Sequence, residues 1–163
     1  KTGKSDITLA CNGSLAGLVG ITAPCAFVAP WASVVIGAVA AVVMLASLSF
    51  VENKLKVDDP VGAVSVHGAA GLWGLLAVGI FADGTYGVSG LIAGDGAQII
   101  AQLIGVVTVT LWSLLTGYVL FRVLKATMGL RVTEQEEREG LDTSEHGLQA
   151  YAGDKLSDST QIV

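Results

Sequence analysis

Charged residues punctuate this chain only at wide intervals. None occurs between Asp6 and Glu52. A helix needs roughly 20 apolar residues to cross a bilayer's hydrocarbon core, so this run holds two crossings and a tight turn. Proline breaks helices and tryptophan favours the membrane interface. The turn is therefore expected at Thr22-Ala23-Pro24-Cys25 or Ala29-Pro30-Trp31. The pattern predicts helices over about 7–27 and 31–50. A polar loop of alternating charge follows, from Glu52 to Asp59. Pro60 then opens a third uncharged run ending near Ala82, where proline suits a first helical turn. Asp83-Gly84-Thr85-Tyr86-Gly87 begins a turn-rich loop reaching Asp95. The last uncharged run, from Gly96 to Phe121, extends in helical pattern to about Met128. Helices are thus expected over 60–82 and 96–128. The last is roughly 45 Å long, enough to tilt in the bilayer or project from it.

Composition agrees: 52% of the 163 residues are hydrophobic and 14% charged. Soluble domains carry about 25% charged residues, so much of this chain avoids water. The net charge of −5 is unevenly spread. Residues 1–132 hold seven Lys and Arg against six Asp and Glu, whereas residues 133–163 hold two against eight. A nearly neutral membrane region and an acidic tail are two different objects. Lys1 and Lys4 precede the first helix, Lys54 and Lys56 separate the second and third, and Arg122, Lys125 and Arg131 follow the fourth. All seven fall on one side of a four-helix threading, which the positive-inside rule makes cytoplasmic. The expected fold is an all-α polytopic membrane protein with four transmembrane helices and a cytoplasmic tail. Lys1 opens the chain without a methionine, as expected of a segment of a longer protein.

Within the spans, Gly13, Gly17 and Gly20 stripe the first helix, and Gly68, Gly71 and Gly74 with Ala69 and Ala70 stripe the third. Small residues let helix backbones approach closely, so these helices expect protein neighbours. Cys11 and Cys25 form no CxxC motif and are expected as small buried apolar side chains, without a disulfide or zinc role. Asn12-Gly13-Ser14 reads as a glycosylation acceptor, but it lies inside a span. Asn12 is instead expected to hydrogen-bond a neighbouring helix. His67 is the one ionisable residue between Asp59 and Asp83. An ionisable group in a membrane span marks a pathway or relay by default, and neutral imidazole both takes and gives protons. A plainer alternative is a ring that caps a carbonyl on a neighbouring helix. Glu52, Asp58 and Asp59, at a membrane boundary, read most simply as loop charges and helix caps.

In the tail, Thr133-Glu134-Gln135-Glu136 reads as a capping box. A short helix should run to Glu139 and stop at Gly140. Asp142-Thr143-Ser144-Glu145 offers a second cap. Beyond Tyr151 there is no apolar periodicity, so flexibility is expected there.

Several stretches resemble the Amt branch of the ammonium transporter (Amt/Mep/Rh) family. They are Asn12-Gly13-Ser14-Leu15-Ala16-Gly17-Leu18-Val19-Gly20-Ile21-Thr22-Ala23-Pro24-Cys25, Val57-Asp58-Asp59-Pro60, Val66-His67-Gly68, Gly129-Leu130-Arg131-Val132, Glu136-Glu137-Arg138-Glu139-Gly140-Leu141-Asp142 and Ser144-Glu145-His146-Gly147. Their order and spacing make the match specific. The resemblance implies a subunit of eleven helices, two inverted halves plus a final helix, of which these are the last four. It implies a homotrimer in the cell inner membrane, serving nitrogen utilisation, with one pore per subunit and no cofactor or nucleic acid. Ammonium would be deprotonated near the outer mouth, and ammonia would pass along an apolar pore. His67 resembles the second of the family's twin histidines. The first, like the external aromatics and gating phenylalanines, precedes this segment. Ala63 and Val64, one turn before His67, line the pore or simply pack. The family's tail couples neighbouring subunits and, in many bacteria, meets a PII signalling protein. Gly129, Arg131, Glu137, Arg138, Gly140, Asp142, His146 and Tyr151 carry that expectation here. The alternative is a non-conducting ammonium sensor or regulatory subunit acting through its tail. An intramembrane enzyme lacks support, with no HExxH and no paired intramembrane aspartates.

Overall fold

A computed structural model describes residues 6–148; Lys1, Lys4 and everything from residue 149 on, Tyr151 included, lie outside the described residues. The chain divides into two compact units, Lys1–Ser113 and Leu114–Val163. Among the described residues the structure is helical, with one isolated antiparallel bridge between Asp83 and Ser89.

Three helices pack together in the first unit. Helix α1 spans Ile7–Thr22 and is capped by Asp6, whose carboxylate accepts from the Leu9 amide. It stops five residues short of expectation because Pro24 interrupts the ladder: residues 23–27 form a turn closed by Phe27 N–H to the Pro24 carbonyl, 2.8 Å. Both candidate turn sites are used, since Pro30 stands at the start of α2, Pro30–Phe50. The loop expected from Glu52 begins instead as helix: Val51–Leu55 continue α2 as a π turn, ended by Lys56 at φ +57°. Together they make 26 apolar-dominated residues, Pro30–Leu55. The third helix also begins later than Pro60. Gly62, at φ +70°, reverses the chain first, and the helix opens as a π segment over Val64–Ala69 before becoming α3, Ala70–Phe81. Val64–Phe81 and the 31-residue α4, Ala97–Thr127, are likewise long and apolar enough to cross a membrane; α1 is shorter. The architecture is that of an all-α polytopic membrane protein.

The core is made of small side chains at every fourth position. Helix α1 buries Asn12, Ala16 and Gly20; α2 buries Ala32, Ile36, Ala40 and Met44. Ala16, Ala40, Met44, Val66 and Ala70 form one cluster, and Ala32, Ile36 and Ala77 a second, with Trp73 packed against both. The Trp73 indole donates to the Ile36 carbonyl, 3.0 Å. Gly17 faces Gly37, and a Cβ on Gly74 would lie 2.5 Å from the Gly20 carbonyl oxygen. This is the close backbone approach that small residues permit. Cys11 and Cys25, expected inside, are both exposed: neither lies on the α1 stripe that meets α2 and α3. Asp95 accepts from the Ala97 amide at the start of α4.

In the second unit, α4 ends at Thr127 and two short helices follow, α5 (Glu134–Glu139) and α6 (Leu141–His146). The capping box at Thr133 and Glu136 is formed, and Gly140 ends α5 at φ +89°. The second cap is not placed as expected. Helix α6 already starts at Leu141, so Asp142 sits inside its first turn, where an acidic side chain suits the helix dipole.

Candidate functional site

The candidate residues fall into two sets, one in each unit. In the first, the chain after Asp59 must turn sharply into the third helix. The Asp59 carboxylate is 4% exposed and accepts from the Val64 amide (3.1 Å), the Ser65 amide (3.1 Å) and the Ser65 hydroxyl (3.0 Å). Burial pushes its pKa up, but hydrogen bonds from the Val64 and Ser65 amides, the Ser65 hydroxyl and the Ala63 amide outweigh this and hold it below the ordinary value. The Gly62 amide donates to the Asp59 carbonyl, 2.8 Å. Asn12 of α1 donates its side-chain amide to the Val61 carbonyl, 3.1 Å. The expected Asn12 bond therefore reaches the turn ahead of the third helix.

His67 lies on the π segment that this turn launches. Its ring is exposed and makes no side-chain hydrogen bond among the described residues. Ala63, Val64 and Gly68 are exposed as well, so these residues form one uncharged strip around the imidazole. Buried Ser65 and Val66 occupy the opposite side. A wall of small apolar groups with one proton-exchanging ring can contact a small polar molecule without trapping an ion. π segments of this kind are frequent at functional sites.

In the tail, Arg131 grips Glu137 through both oxygens, with a guanidinium nitrogen 2.7 Å from Oε1. The Glu137 carboxylate in turn raises the Arg131 pKa, while Arg131 lowers that of Glu137. Thr133 lowers Glu136 through the capping box. Arg138 pairs with Glu134. Arg131, Val132, Glu134, Glu137 and Arg138 line one shallow concavity. Gly129, at φ +81°, and Gly140 shape the turns on either side of α5's approach and exit. Asp142 and His146 lie on α6. Tyr151 falls outside the described residues. Among the described residues no group of three or more His, Cys, Asp or Glu is placed to hold a metal ion.

Asp59 caps the third helix, as expected of a carboxylate at this boundary, but it does so from a buried position and also holds the Ser65 hydroxyl, which the sequence does not single out. The signal available was the Asp59-Pro60 pair ahead of an uncharged run. What it did not reveal was the Gly62 reversal that folds the carboxylate inward.

Comparison with known proteins adds to this geometry. The sequence model of the Ammonium Transporter Family matches residues 1–151. An Archaeoglobus fulgidus protein named ammonium transporter Amt2 is 47% identical over 159 residues, covering 93% of this chain and 34% of that protein. Ammonium transporter 1 member 1 of Arabidopsis thaliana is 38% identical, covering 92% of this chain and 32% of its own length. The chain thus spans about a third of the length of these curated relatives. Among solved structures, one titled Sensor Amt Protein superposes with a TM-score of 0.78 at 36% identity, covering 90% of this chain and 36% of that one. Mep2 of Candida albicans gives 0.67 at 28% identity, covering 77% and 30%. A family match across nearly all of the chain, and backbones that superpose on it, make this chain a member of the ammonium transporter family, a family of transporters and not of enzymes.

Proposed function

We propose that the chain supplies the last four helices of an ammonium transporter and, with them, one wall of its pore. The observation that carries this reading is His67: a lone ionisable side chain on an uncharged helix, exposed, without a side-chain hydrogen bond among the described residues and bordered by Ala63 and Val64. A bare cation is costly in a hydrocarbon-lined pore, whereas ammonia is small and neutral. Ammonium would therefore lose its proton near the outer mouth. Ammonia would pass His67 and a second histidine, contributed by protein outside this chain, which together relay the proton separately. Potassium has no proton to give up and is refused.

In this reading α1, α2 with its π turn, the third helix and α4 are the four crossings. The loop at Lys54 and Lys56 and the tail face the cytoplasm, as the basic residues favour. Three such subunits assemble in the cell inner membrane. Gly129, Arg131, Glu137, Arg138, Gly140, Asp142, His146 and Tyr151 belong to the tail that contacts the neighbouring subunit or a PII signalling protein. Ammonium uptake by the full-length protein carrying His67→Ala tests the reading. Uptake should fall by about 10²-fold at equal membrane abundance, the lower end of what a positioned proton-transfer group contributes. Unchanged uptake sinks it.

The likeness to the structure titled Sensor Amt Protein supports a second reading, a non-conducting reporter of ammonium. That reading expects no uptake by the full-length protein, with ammonium changing hydrogen-exchange protection in α5 and α6 instead.

A further inference from the structure

We propose that Asp59, Ser65 and Asn12 are positioning residues for His67: they lock the first turn of the π segment, and that turn sets the direction in which the His67 side chain leaves the helix. The inference rests on the pore reading of His67. The ring makes no side-chain hydrogen bond among the described residues, so nothing on the imidazole itself fixes where it points in this chain. The face of the helix from which it leaves is set by its Cα–Cβ bond, and hence by the register of Val64–Ala69.

That register is over-determined at its start. Two oxygens of one buried carboxylate take the Val64 amide, the Ser65 amide and the Ser65 hydroxyl, all within 3.1 Å. A helix start normally leaves these donors open, and here they are all held by a single charge. Ser65 is fully buried, so its hydroxyl has nowhere else to turn. The third tie comes from a different helix. The Asn12 amide holds the Val61 carbonyl at 3.1 Å, and Gly62 next to it leaves no room for drift: a Cβ there would lie 2.7 Å from the Asn12 side-chain nitrogen. The Gly62 carbonyl then accepts from the Val66 amide, 2.7 Å, one residue before the histidine. Asp59 fixes the turn along its own helix, and Asn12 fixes it against α1. A one-residue slip in helical register swings a side chain to a different face of the helix. Such a slip would rotate His67 away from the strip of Ala63 and Val64.

The test uses the full-length transporter, with Asp59→Asn and Ser65→Ala made alone and in combination with His67→Ala. Membrane abundance is measured alongside the maximal uptake rate and the half-saturating ammonium concentration. Each single variant should lower the maximal rate about tenfold with half-saturation unchanged, the pattern of an interaction that matters after binding. In the His67→Ala background neither should lower uptake further, because residues that act through one group are not additive with its loss. Equal losses in both backgrounds overturn the proposal. So does full uptake by both single variants while His67→Ala is impaired. Full uptake by His67→Ala instead sinks the pore reading, and the proposal with it. If Asp59→Asn fails to accumulate, Ser65→Ala decides alone, since it removes one hydroxyl and keeps the charge.

Discussion

A single methyl group is a large perturbation in this fold. Gly74 meets the Gly20 backbone so closely that an added Cβ would sit 2.5 Å from a carbonyl oxygen, and neither backbone can yield cheaply. Gly74→Ala should cost about 1–3 kcal/mol, the usual range for overpacking. Gly105→Ala on α4, where no atom lies within 4 Å, should be neutral or slightly stabilising. Thermal unfolding of the two variants in detergent distinguishes them, and equal midpoints would remove the close-packing argument. The isolation of His67 is plain at this scale, because one ionisable residue stands alone in an uncharged run, while the pore role given to it is a proposal. The burial of Asp59 is not plain from the sequence. Proline at position 60 reads as a helix start, and only the left-handed Gly62 shows that the chain doubles back and carries the carboxylate inside.

Elements were readable where the backbone obeys local rules and misread where contacts from elsewhere decide. The capping box of α5 needs only Thr133 and Glu136, and it formed as expected. Thr133→Ala should lower hydrogen-exchange protection of the α5 amides about fivefold, on the scale of a lost cap. No change would show that α5 is held by other means. The acid response of α5 follows from its carboxylates. Thr133 lowers the pKa of Glu136, and Arg131 lowers that of Glu137. Groups depressed by folding contribute stability that is complete above the unfolded value and fades as pH falls through the folded one. α5 should therefore lose protection below about pH 4.3, the ordinary glutamate value, and not before. Arg131 is raised by the same pairing, so it stays charged across this range and the pair is lost only as Glu137 takes up a proton. Exchange measured from pH 6 to 3 and corrected for intrinsic rates checks this; melting already complete at pH 5.5 would contradict it. The shortened α1 escaped the sequence because hydrophobicity continues past its end, and the π end of α2 because Glu52, Asn53 and Lys54 read as loop. Apolar runs report where a chain avoids water, not where its hydrogen-bond ladder stops.

At the scale of the whole molecule, the proposed threading rests on a global pattern that needs no contact: four crossings would place all seven basic residues of the membrane region on one side. The threading makes a direct prediction. In a full-length protein lacking Cys11 and Cys25, a cysteine replacing Ser89 should react with an impermeant thiol reagent added outside the cell. One replacing Lys54 should react only once the membrane is opened. Labelling of both from the same side would overturn the four-crossing arrangement. The curated relatives that this chain matches are about three times as long as it is. Leu18, Val34 and Val42 stand exposed on α1 and α2, faces open to lipid or to a protein neighbour.

The brevity of α1 has a consequence for how the protein is made. Sixteen residues give a rod of about 24 Å, some 6 Å short of a hydrocarbon core of roughly 30 Å, so as one of the four proposed crossings it is a short one. It also carries Asn12, Ser14 and Thr22, polar groups that gain nothing from lipid alone. During biosynthesis α1 is therefore a poor candidate to leave the insertion machinery by itself. It needs α2, longer and more uniformly apolar, to arrive and close the Gly17–Gly37 contact before the pair can partition together as a hairpin. On this view, lengthening the ribosomal pause between the two helices should leave α1 stranded outside the bilayer, a failure of timing with no counterpart in the finished structure.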